Sequence, residues 1–241
     1  MQTSEHTASD STQTARSKRL PPKSREIARR AAAGSSAYFR KHGRNFPWRT
    51  ESDPYRLAVA EILLQKTRAA SVEAIYSIIV TRWSTANALS DAPTEVIEDL
   101  LLPLGLSRKR SIQLVGMASV ASSLGPQIFD DWRTLLSDVP GLGAYAARAI
   151  ACFGRGERVG IVDSNVARII RRVFRIRTKD ARAVTYQRHA DELALTADDP
   201  REANFGLLDL GAAVCLPKPH CGRCPFDEFC PRYGVKIFAA H

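Results

Sequence analysis

Apolar residues recur along most of the chain with the spacing of α-helices. In one segment they fall at i, i+3, i+4, i+7 and i+8, which is one face of an amphipathic helix: Val166, Ile169, Ile170, Val173 and Phe174. Short Pro, Gly and Asp clusters separate such segments, and the period-two pattern of β-strands is rare. The pattern predicts an all-α fold with helices over 24–41, 54–80, 92–103, 107–124, 131–137, 144–153, 164–176, 182–195 and 201–213.

The N-terminal segment 1–23 differs in composition from the rest of the chain. It is rich in Ser and Thr, nearly lacks large apolar side chains and ends at a Pro-Pro pair. Such a segment cannot bury enough surface to offset the entropy lost on ordering. We therefore predict a disordered basic tail over 1–23. Glu5 and Asp10 argue against an organellar targeting peptide, which is usually poor in acidic residues.

Charge narrows the class of partner. Lys and Arg outnumber Asp and Glu by 35 to 25, and the formal net charge is +10. This balance favours a polyanionic partner such as nucleic acid, although solvated basic side chains alone would give the same count. No apolar run approaches the roughly 20 residues of a membrane-spanning helix, and the N-terminus lacks the apolar core of a secretory signal. We expect an intracellular protein of the cytoplasm or nucleoid, without membrane contact.

A glycine-containing turn interrupts the helices at the sequence VPGLG. Pro140, Gly141 and Gly143 allow the backbone to turn tightly and to expose its amides without obstruction by Cβ atoms. Exposed amides before a helix N-terminus favour a phosphate oxygen at that position. A plain interhelical turn has the same composition, so the motif alone leaves both interpretations open.

An aspartate begins the amphipathic helix that follows. Asp163 directly precedes the predicted helix 164–176, where it is typical of an N-cap that contributes about 1 kcal/mol. The polar face of the helix carries a series of arginines, and the pattern fits either a solvated face or a phosphate-facing one: Arg168, Arg171, Arg172, Arg175 and Arg177.

Four of the five cysteines lie close together near the C-terminus: Cys215, Cys221, Cys224 and Cys230. In an intracellular chain this cluster indicates a metal site rather than disulfides. Zinc sites usually pair two Cys-x-x-Cys knuckles, whereas this run has one knuckle flanked by single cysteines. The spacing favours a 4Fe–4S cluster over zinc. The fifth cysteine, Cys152, lies in an apolar segment and is expected in the core.

These motifs together resemble a known family. VPGLGAYAARAI, VDSNVARIIRRVF and NFGLLDLGAAVC with its cysteines, preceded by NFPWR and DPYRLAVAEILLQKTRA, resemble the helix-hairpin-helix, Gly-Pro-Asp superfamily of DNA glycosylases. The similarity covers about residues 24–232 and lies on the endonuclease III and MutY branch. The first gap between the cysteines is one residue shorter than is common in the family, which concerns the geometry of the loop.

The resemblance implies two helical domains with a DNA-binding groove between them. Residues 54–157 would form a helical barrel that bears the hairpin. Residues 24–53 and 158–241 would form an iron–sulfur cluster domain built from both ends of the chain. The expected partner is double-stranded DNA containing a mismatch, and the protein is expected to be a monomer.

The resemblance also implies roles for individual residues. Asp163 matches the catalytic aspartate. Glu61 matches the acid that protonates the leaving purine in adenine glycosylases, and in a thymine enzyme its alternative roles are to orient water or to contact the pyrimidine. Tyr145 stands where strand-cutting members have a lysine, so we expect a monofunctional glycosylase that leaves an abasic site. The residues expected to contact DNA are the hairpin, the residues after the Glu61 helix and two cations at the start of the 107–124 segment: Gly141, Leu142, Gly143, Gln65, Lys66, Arg108 and Lys109. Arg110, next to the last two, is a further candidate for phosphate contact.

The resemblance also bears on which base is excised. A tyrosine at position 145 occurs in glycosylases that remove thymine from G·T mismatches, and Ser164 replaces the glycine usual in adenine glycosylases. MutY-type enzymes carry a further C-terminal domain that reads 8-oxoguanine, and we expect none here, because the sequence continues only about ten residues after Cys230. We expect thymine or uracil opposite guanine as the substrate. The alternatives are adenine in A·G or A·8-oxoguanine pairs, or a DNA-binding module without catalysis.

Overall fold

The computed structural model describes residues 19–235, which contain α-helices, short 3₁₀ turns and no β-strand. The expected all-α fold is thereby confirmed for this range. The helices are α1 Pro22–His42, α2 Pro54–Leu64, α3 Ala69–Arg82, α4 Ala86–Ser90, α5 Thr94–Leu101, α6 Ser107–Leu124, α7 Trp132–Asp138, α8 Ala144–Arg155, α9 Ser164–Phe174, α10 Val184–Thr196 and α11 Pro200–Ala213. No helix in the described part is both long enough and apolar enough to cross a membrane.

The predicted tail falls mostly on residues 1–18, which lie outside the described residues. Its last residues are structured, because α1 already begins at Pro22 and the Leu20 side chain is buried. Arg19 forms a two-pronged ion pair with Glu192, whose carboxylate is almost fully buried. Residues 19–23, which the sequence assigns to the tail, are therefore structured.

The chain divides into two compact units. The hairpin unit comprises Gly43–Val159, and the cysteine unit comprises the residues up to His42 together with those from Gly160 onward. Residues 43–53, expected in the cluster domain with the C-terminal segments, lie in the hairpin unit instead. There the Trp48 ring packs edge-on against Tyr76 of α3, with 5.4 Å between ring centroids.

Helix α2 forms the centre of the hairpin unit. Asp53 caps it by accepting a hydrogen bond from the Tyr55 amide at 2.9 Å, and Pro54 occupies the first helical turn. The helix is apolar on nearly every side, so almost all of its residues are buried. Helix α8 packs against α2. A carboxylate on such a helix, as at Glu61, is therefore removed from water.

The cysteine unit is built on close contact between α1 and α11. Small residues of α1 line this contact, and an added Cβ at Gly206 would lie only 2.0 Å from the Ser35 carbonyl oxygen. The glycine is thus required by the approach of the two helices. The apolar stripe predicted on α9 is buried in the same core, with Val166 and Ile170 almost inaccessible.

One predicted helix, 54–80, is two helices in the structure. The chain leaves helical geometry between α2 and α3, and Lys66 adopts a left-handed backbone conformation with φ of 55°. Apolar residues continue at helical spacing across this break, which is why the sequence pattern predicts one helix. The short helix α4 was not predicted at all.

Candidate active site

The VPGLG segment forms a tight hairpin between α7 and α8. Gly141 has φ of 80°, a conformation that side chains other than glycine rarely adopt, and its carbonyl accepts a hydrogen bond from Gln113 Nε2 at 2.9 Å. Leu142 is buried and anchors the turn. An added Cβ at Gly143 would meet no atom within 4 Å, so the backbone at the start of α8 is open to an approaching group.

Tyr145 lies in the first turn of α8, directly after this hairpin, and its side chain is half-buried. The position predicted to decide the reaction type therefore adjoins the open backbone at Gly143. A phenol is present at this position, and no amine is available from that side chain for attack on a sugar.

Glu61 is buried on α2, with 8 % of its surface exposed. Burial raises the pKa of its carboxyl to about 8, and the nearby Arg49 guanidinium opposes this rise. The side chain is therefore mostly a neutral acid at neutral pH, so it can donate a proton. A single carboxylate in the apolar run LAVAEILL is unusual, because burying its charged form costs free energy.

Asp163 is the N-cap of α9, and both of its carboxylate oxygens are engaged. Oδ1 accepts the Val166 amide at 2.7 Å, and Oδ2 accepts the Asn165 Nδ2–H at 3.1 Å. The predicted N-cap role of Asp163 is thus confirmed. The half-buried carboxylate is held in a fixed orientation by two donors.

A chain of hydrogen bonds runs from Asp163 to the cysteine loop. Asn165 Oδ1 accepts from Arg168 Nη2 at 2.8 Å, and Arg168 Nε donates to the Cys215 carbonyl at 2.6 Å. Arg172 donates to the Cys215 Sγ at 3.1 Å and to the Leu216 carbonyl at 2.7 Å. The sequence left the arginine face open between solvent and phosphate, but these two arginines contact the protein's own loop.

The four clustered cysteines line one cavity within the cysteine unit. Apolar side chains close its sides, Phe226 and Val214 among them. Burial raises the pKa of the Cys224 thiol to about 11 and also raises that of Cys230. Among the described residues, no group of three or more His, Cys, Asp or Glu side chains is arranged closely enough to hold a metal ion.

Two loops of the hairpin unit carry the remaining predicted DNA contacts. Gln65 and Lys66 lie in the break after α2, and Lys66 is exposed. Arg108 and Lys109 lie in the first turn of α6. They line a shallow groove together with Leu106, whose side chain is 51 % exposed on a left-handed backbone. Leu106 is not among the residues predicted from the sequence to contact DNA, although its place after Gly105 marks a turn.

Arg110 does not fit the phosphate-contacting role considered for it. Only 1 % of its surface is exposed, and burial lowers the pKa of its guanidinium. Its Nη1 donates to the carbonyl oxygens of Leu104, at 2.9 Å, and of Gly105. Its Nη2 donates to the carbonyl oxygen of Gln65 and to the Thr67 hydroxyl. Arg110 therefore joins the two loops internally.

Comparison with known proteins places these features in a family. Residues 59–193 match the HhH-GPD superfamily of base excision DNA repair proteins. An adenine DNA glycosylase of Mycobacterium tuberculosis is 38 % identical over 196 residues, which span 79 % of this chain and 64 % of that protein. A thymine/uracil-DNA glycosylase of Methanothermobacter thermautotrophicus is 31 % identical over 79 % of this chain and 87 % of its own length.

A solved structure shows the same similarity in three dimensions. The structure of a thermostable thymine-DNA glycosylase superposes with a TM-score of 0.79 and 29 % sequence identity, covering 88 % of this chain and 97 % of that one. Residues 59–193, which match the family, include Glu61, the hairpin and Asp163. From the sequence match and this similarity, the chain belongs to the HhH-GPD superfamily of base excision DNA repair proteins.

Proposed function

We propose that this protein is a monofunctional DNA glycosylase that hydrolyses the N-glycosidic bond of thymine or uracil mispaired with guanine. The observation that carries the proposal is the doubly held carboxylate of Asp163 in a chain of this family. Relatives and a solved structure with the name thymine-DNA glycosylase support the choice of base.

The chemistry requires a carboxylate beside the sugar. As the bond to the base breaks, positive charge develops on the sugar ring, and a fixed negative charge stabilises that transition state more than the ground state. Asp163 is held by the Asn165 amide and the Val166 N–H, so it need not reorganise as the charge appears. We assign it to the stabilisation of the sugar cation and the positioning of the attacking water.

Glu61 supplies the proton in this scheme. Water adds its oxygen to C1′ of the sugar, and the base departs with the bonding electron pair and accepts a proton. A carboxyl with a pKa of about 8 is protonated at neutral pH and is matched to this task. The proton on the departing base thus comes from Glu61, and the water proton restores the acid.

The absence of an amine at Tyr145 supports the monofunctional assignment. Strand cleavage by bifunctional glycosylases begins when a lysine attacks the sugar and forms a Schiff base. The phenol of Tyr145 cannot form a Schiff base. The expected product is therefore an abasic site in an intact strand, which breaks only on treatment with hot alkali.

Access to the mispaired base requires that its nucleotide leave the helix. Flipping costs a few kcal/mol and costs least at a mismatch, which favours mispaired over paired thymine. The exposed Lys66 and Leu106 occupy projecting loops suited to entering the gap, and Arg108 and Lys109 are suited to phosphate. The open amides of the hairpin at Gly143 suit a further phosphate oxygen.

We also propose that the cysteine cavity holds a 4Fe–4S cluster. Each iron of a cubane takes its own thiolate, so the sulfur atoms surround the cluster instead of converging on a single ion. Four thiols around one apolar cavity fit that requirement: Cys215, Cys221, Cys224 and Cys230. When bound, the cluster supplies iron–thiolate bonds that tie the 215–230 loop together. Iron and sulfide analysis of the purified protein tests this assignment, with zinc as the competing result.

A second candidate is removal of adenine from A·G or A·8-oxoguanine pairs. The protonated Glu61 would serve a departing purine as well as a pyrimidine, because a purine leaves more readily when a ring nitrogen accepts a proton, and thymine or uracil when a carbonyl oxygen does. Proteins that are 38 % identical to this chain have the name adenine DNA glycosylase. The two candidates differ only in the base that is released.

Strand-cleavage assays on end-labelled duplexes separate these possibilities. The substrates carry G·T, G·U, A·G, A·8-oxoguanine and normal pairs, and each reaction is divided into samples with and without hot alkali. Cleavage at the T or U of the first two substrates only after alkali supports the proposal. Cleavage at adenine supports the second candidate, and cleavage without alkali contradicts the monofunctional assignment. Asp163→Asn serves as the control for contaminating nuclease.

A further inference from the structure

Two of the buried polar side chains of helix α6, Arg110 and Gln113, lie one turn apart. Their exposed fractions are 1 % and 8 %. Residues three apart on a helix lie on the same face, so both side chains project from one side of α6. Burying such polar groups costs free energy unless they form hydrogen bonds, and each side chain donates to a loop remote in sequence: Arg110 to the Gln65 carbonyl, and Gln113 to the Gly141 carbonyl. Neither side chain is needed by the proposed chemistry.

Arg110 joins two loops. Its Nη2 donates to the Gln65 carbonyl and to the Thr67 hydroxyl, while Nη1 donates to the Leu104 carbonyl at 2.9 Å and to the Gly105 carbonyl. Both loops contain a left-handed, exposed residue that is not glycine: Lys66 in the first and Leu106 in the second. Such conformations persist only where the surroundings hold them.

Gln113 reaches a third loop. Its Nε2 donates to the Gly141 carbonyl at 2.9 Å, at the tip of the hairpin between α7 and α8. An added Cβ at Gly141 would lie 2.3 Å from the same nitrogen, so the side chain lies directly against the turn. One helix face thus contacts all three segments of the hairpin unit to which we assign DNA contacts.

From these contacts we infer that Arg110 and Gln113 are positioning residues that hold these three loops in register on one duplex of DNA. The inference rests on the proposed function, because it concerns how the same enzyme opens its substrate. Arg110 fixes the two projecting loops relative to each other, and Gln113 fixes the hairpin relative to both. The three loops then approach DNA as one rigid surface, without the cost of ordering each separately.

Hydrogen–deuterium exchange on the full chain tests the inference without reference to catalysis. The amides of Thr67, Gly105 and Leu142 each donate within their own turn, so their exchange reports the rigidity of each loop. Arg110→Met should accelerate exchange about tenfold at the first two and leave the third unchanged. Gln113→Leu should give the opposite pattern. Arg110→Lys keeps the charge but lacks the planar fork, so it should resemble Arg110→Met.

Base opening tests the consequence for DNA. A 2-aminopurine beside the mispaired base should brighten when wild-type protein flips that base, and Arg110→Met should lower this response. Single-turnover release from a G·U duplex should slow at least about tenfold in Arg110→Met. Release of uracil opposite an abasic analogue, where the partner stack is already lost, should slow much less. Arg29→Met changes an exposed arginine of α1 and serves as the matched control.

The outcomes are separable. Unchanged amide exchange in the loops of both Arg110 variants would overturn the inference. Uniform acceleration of exchange throughout the hairpin unit would also overturn it, because that result indicates a general loss of stability. Equal slowing on both uracil substrates would also overturn it. If the wild-type protein releases no base from any duplex, the proposed function fails, and the exchange pattern alone then decides whether Arg110 and Gln113 fix the loops.

Discussion

The buried carboxyl of Glu61 makes the stability of the protein depend on pH. Burial raises its pKa to about 8 from an ordinary value of 4.5. The folded protein therefore keeps a proton that the unfolded chain releases at any pH between these values. The contribution of this group to stability is fully present below pH 4.5 and is lost as the pH rises toward 8. The Glu61→Gln variant has no titrating group at this position, so its stability should not show this loss as the pH rises.

The size of the effect follows from the pKa difference. Each pH unit within the window costs about 1.4 kcal/mol, so the wild-type protein should lose about 3 kcal/mol relative to Glu61→Gln between pH 5 and pH 7.5. Relaxation around the charged carboxylate would reduce this figure. The variant should accordingly be the more stable protein at pH 7.5, and its advantage should shrink toward pH 5.

Urea unfolding followed by circular dichroism at pH 5 and pH 7.5 measures this difference. Glu73→Gln, at an exposed carboxylate on α3, is the matched control and should show no comparable change with pH. A free-energy difference between Glu61→Gln and wild type that does not change with pH would refute the reasoning, and so would a difference that grows toward acid. The first outcome would mean that Glu61 is solvated or paired in solution.

The catalytic counterpart uses the same titration. If neutral Glu61 donates the proton, single-turnover base release should fall about tenfold per pH unit above pH 8 and should be slow at every pH in Glu61→Gln. A release rate that rises through pH 8 would mean instead that the ionised carboxylate acts, for example on water.

Three further predictions concern other parts of the site. Tyr145→Lys should convert part of the activity to strand cleavage without alkali, with a covalent enzyme–DNA adduct trapped by borohydride; no adduct would show that this position does not reach the sugar. Asn165→Ala removes the donor to Asp163 Oδ2 and should slow base release about tenfold under single-turnover conditions, with unchanged DNA affinity; weaker binding with an unchanged rate would contradict a role in orienting Asp163. Three cations are assigned to phosphate contacts: Lys66, Arg108 and Lys109. Replacing any one of them by Ala should reduce the slope of log affinity against log salt concentration by about 0.9, measured by fluorescence anisotropy. An unchanged slope would exclude the replaced residue from the interface.

The sequence predicts the helices well because their apolar spacing is a local property. It fails at residues 65–68, where the apolar pattern continues but the chain leaves the helix. The oxygens there are satisfied by Arg110, which lies far along the chain on α6. A hydrogen bond between segments so far apart in sequence leaves no mark on the local apolar pattern. The sequence therefore predicts neither the break in the helix nor the burial of Arg110.

The arginines of α9 illustrate the same limit. Their spacing places them on the polar face, which is as far as periodicity can go. The structure shows that Arg168 and Arg172 donate to carbonyl oxygens of the cysteine loop, which is remote from them in sequence. The place of Asp163 before a helix predicts its capping role, which the structure confirms. The catalytic roles of Asp163 and Glu61 come from the match to the family and stay predictions. The burial that raises the pKa of Glu61 required the packed structure.

In the proposed function, the Asp163 carboxylate supports release of a free base from a mismatch. Mass spectrometry of the small molecules released from a G·T duplex under single-turnover conditions tests it most directly. We expect free thymine from the wild-type protein and at least about a 10²-fold lower rate from Asp163→Asn, because a fixed charge beside the developing cation is lost. Asp163→Asn with an undiminished rate, or the wild-type protein with no free base from the G·T duplex, would contradict it.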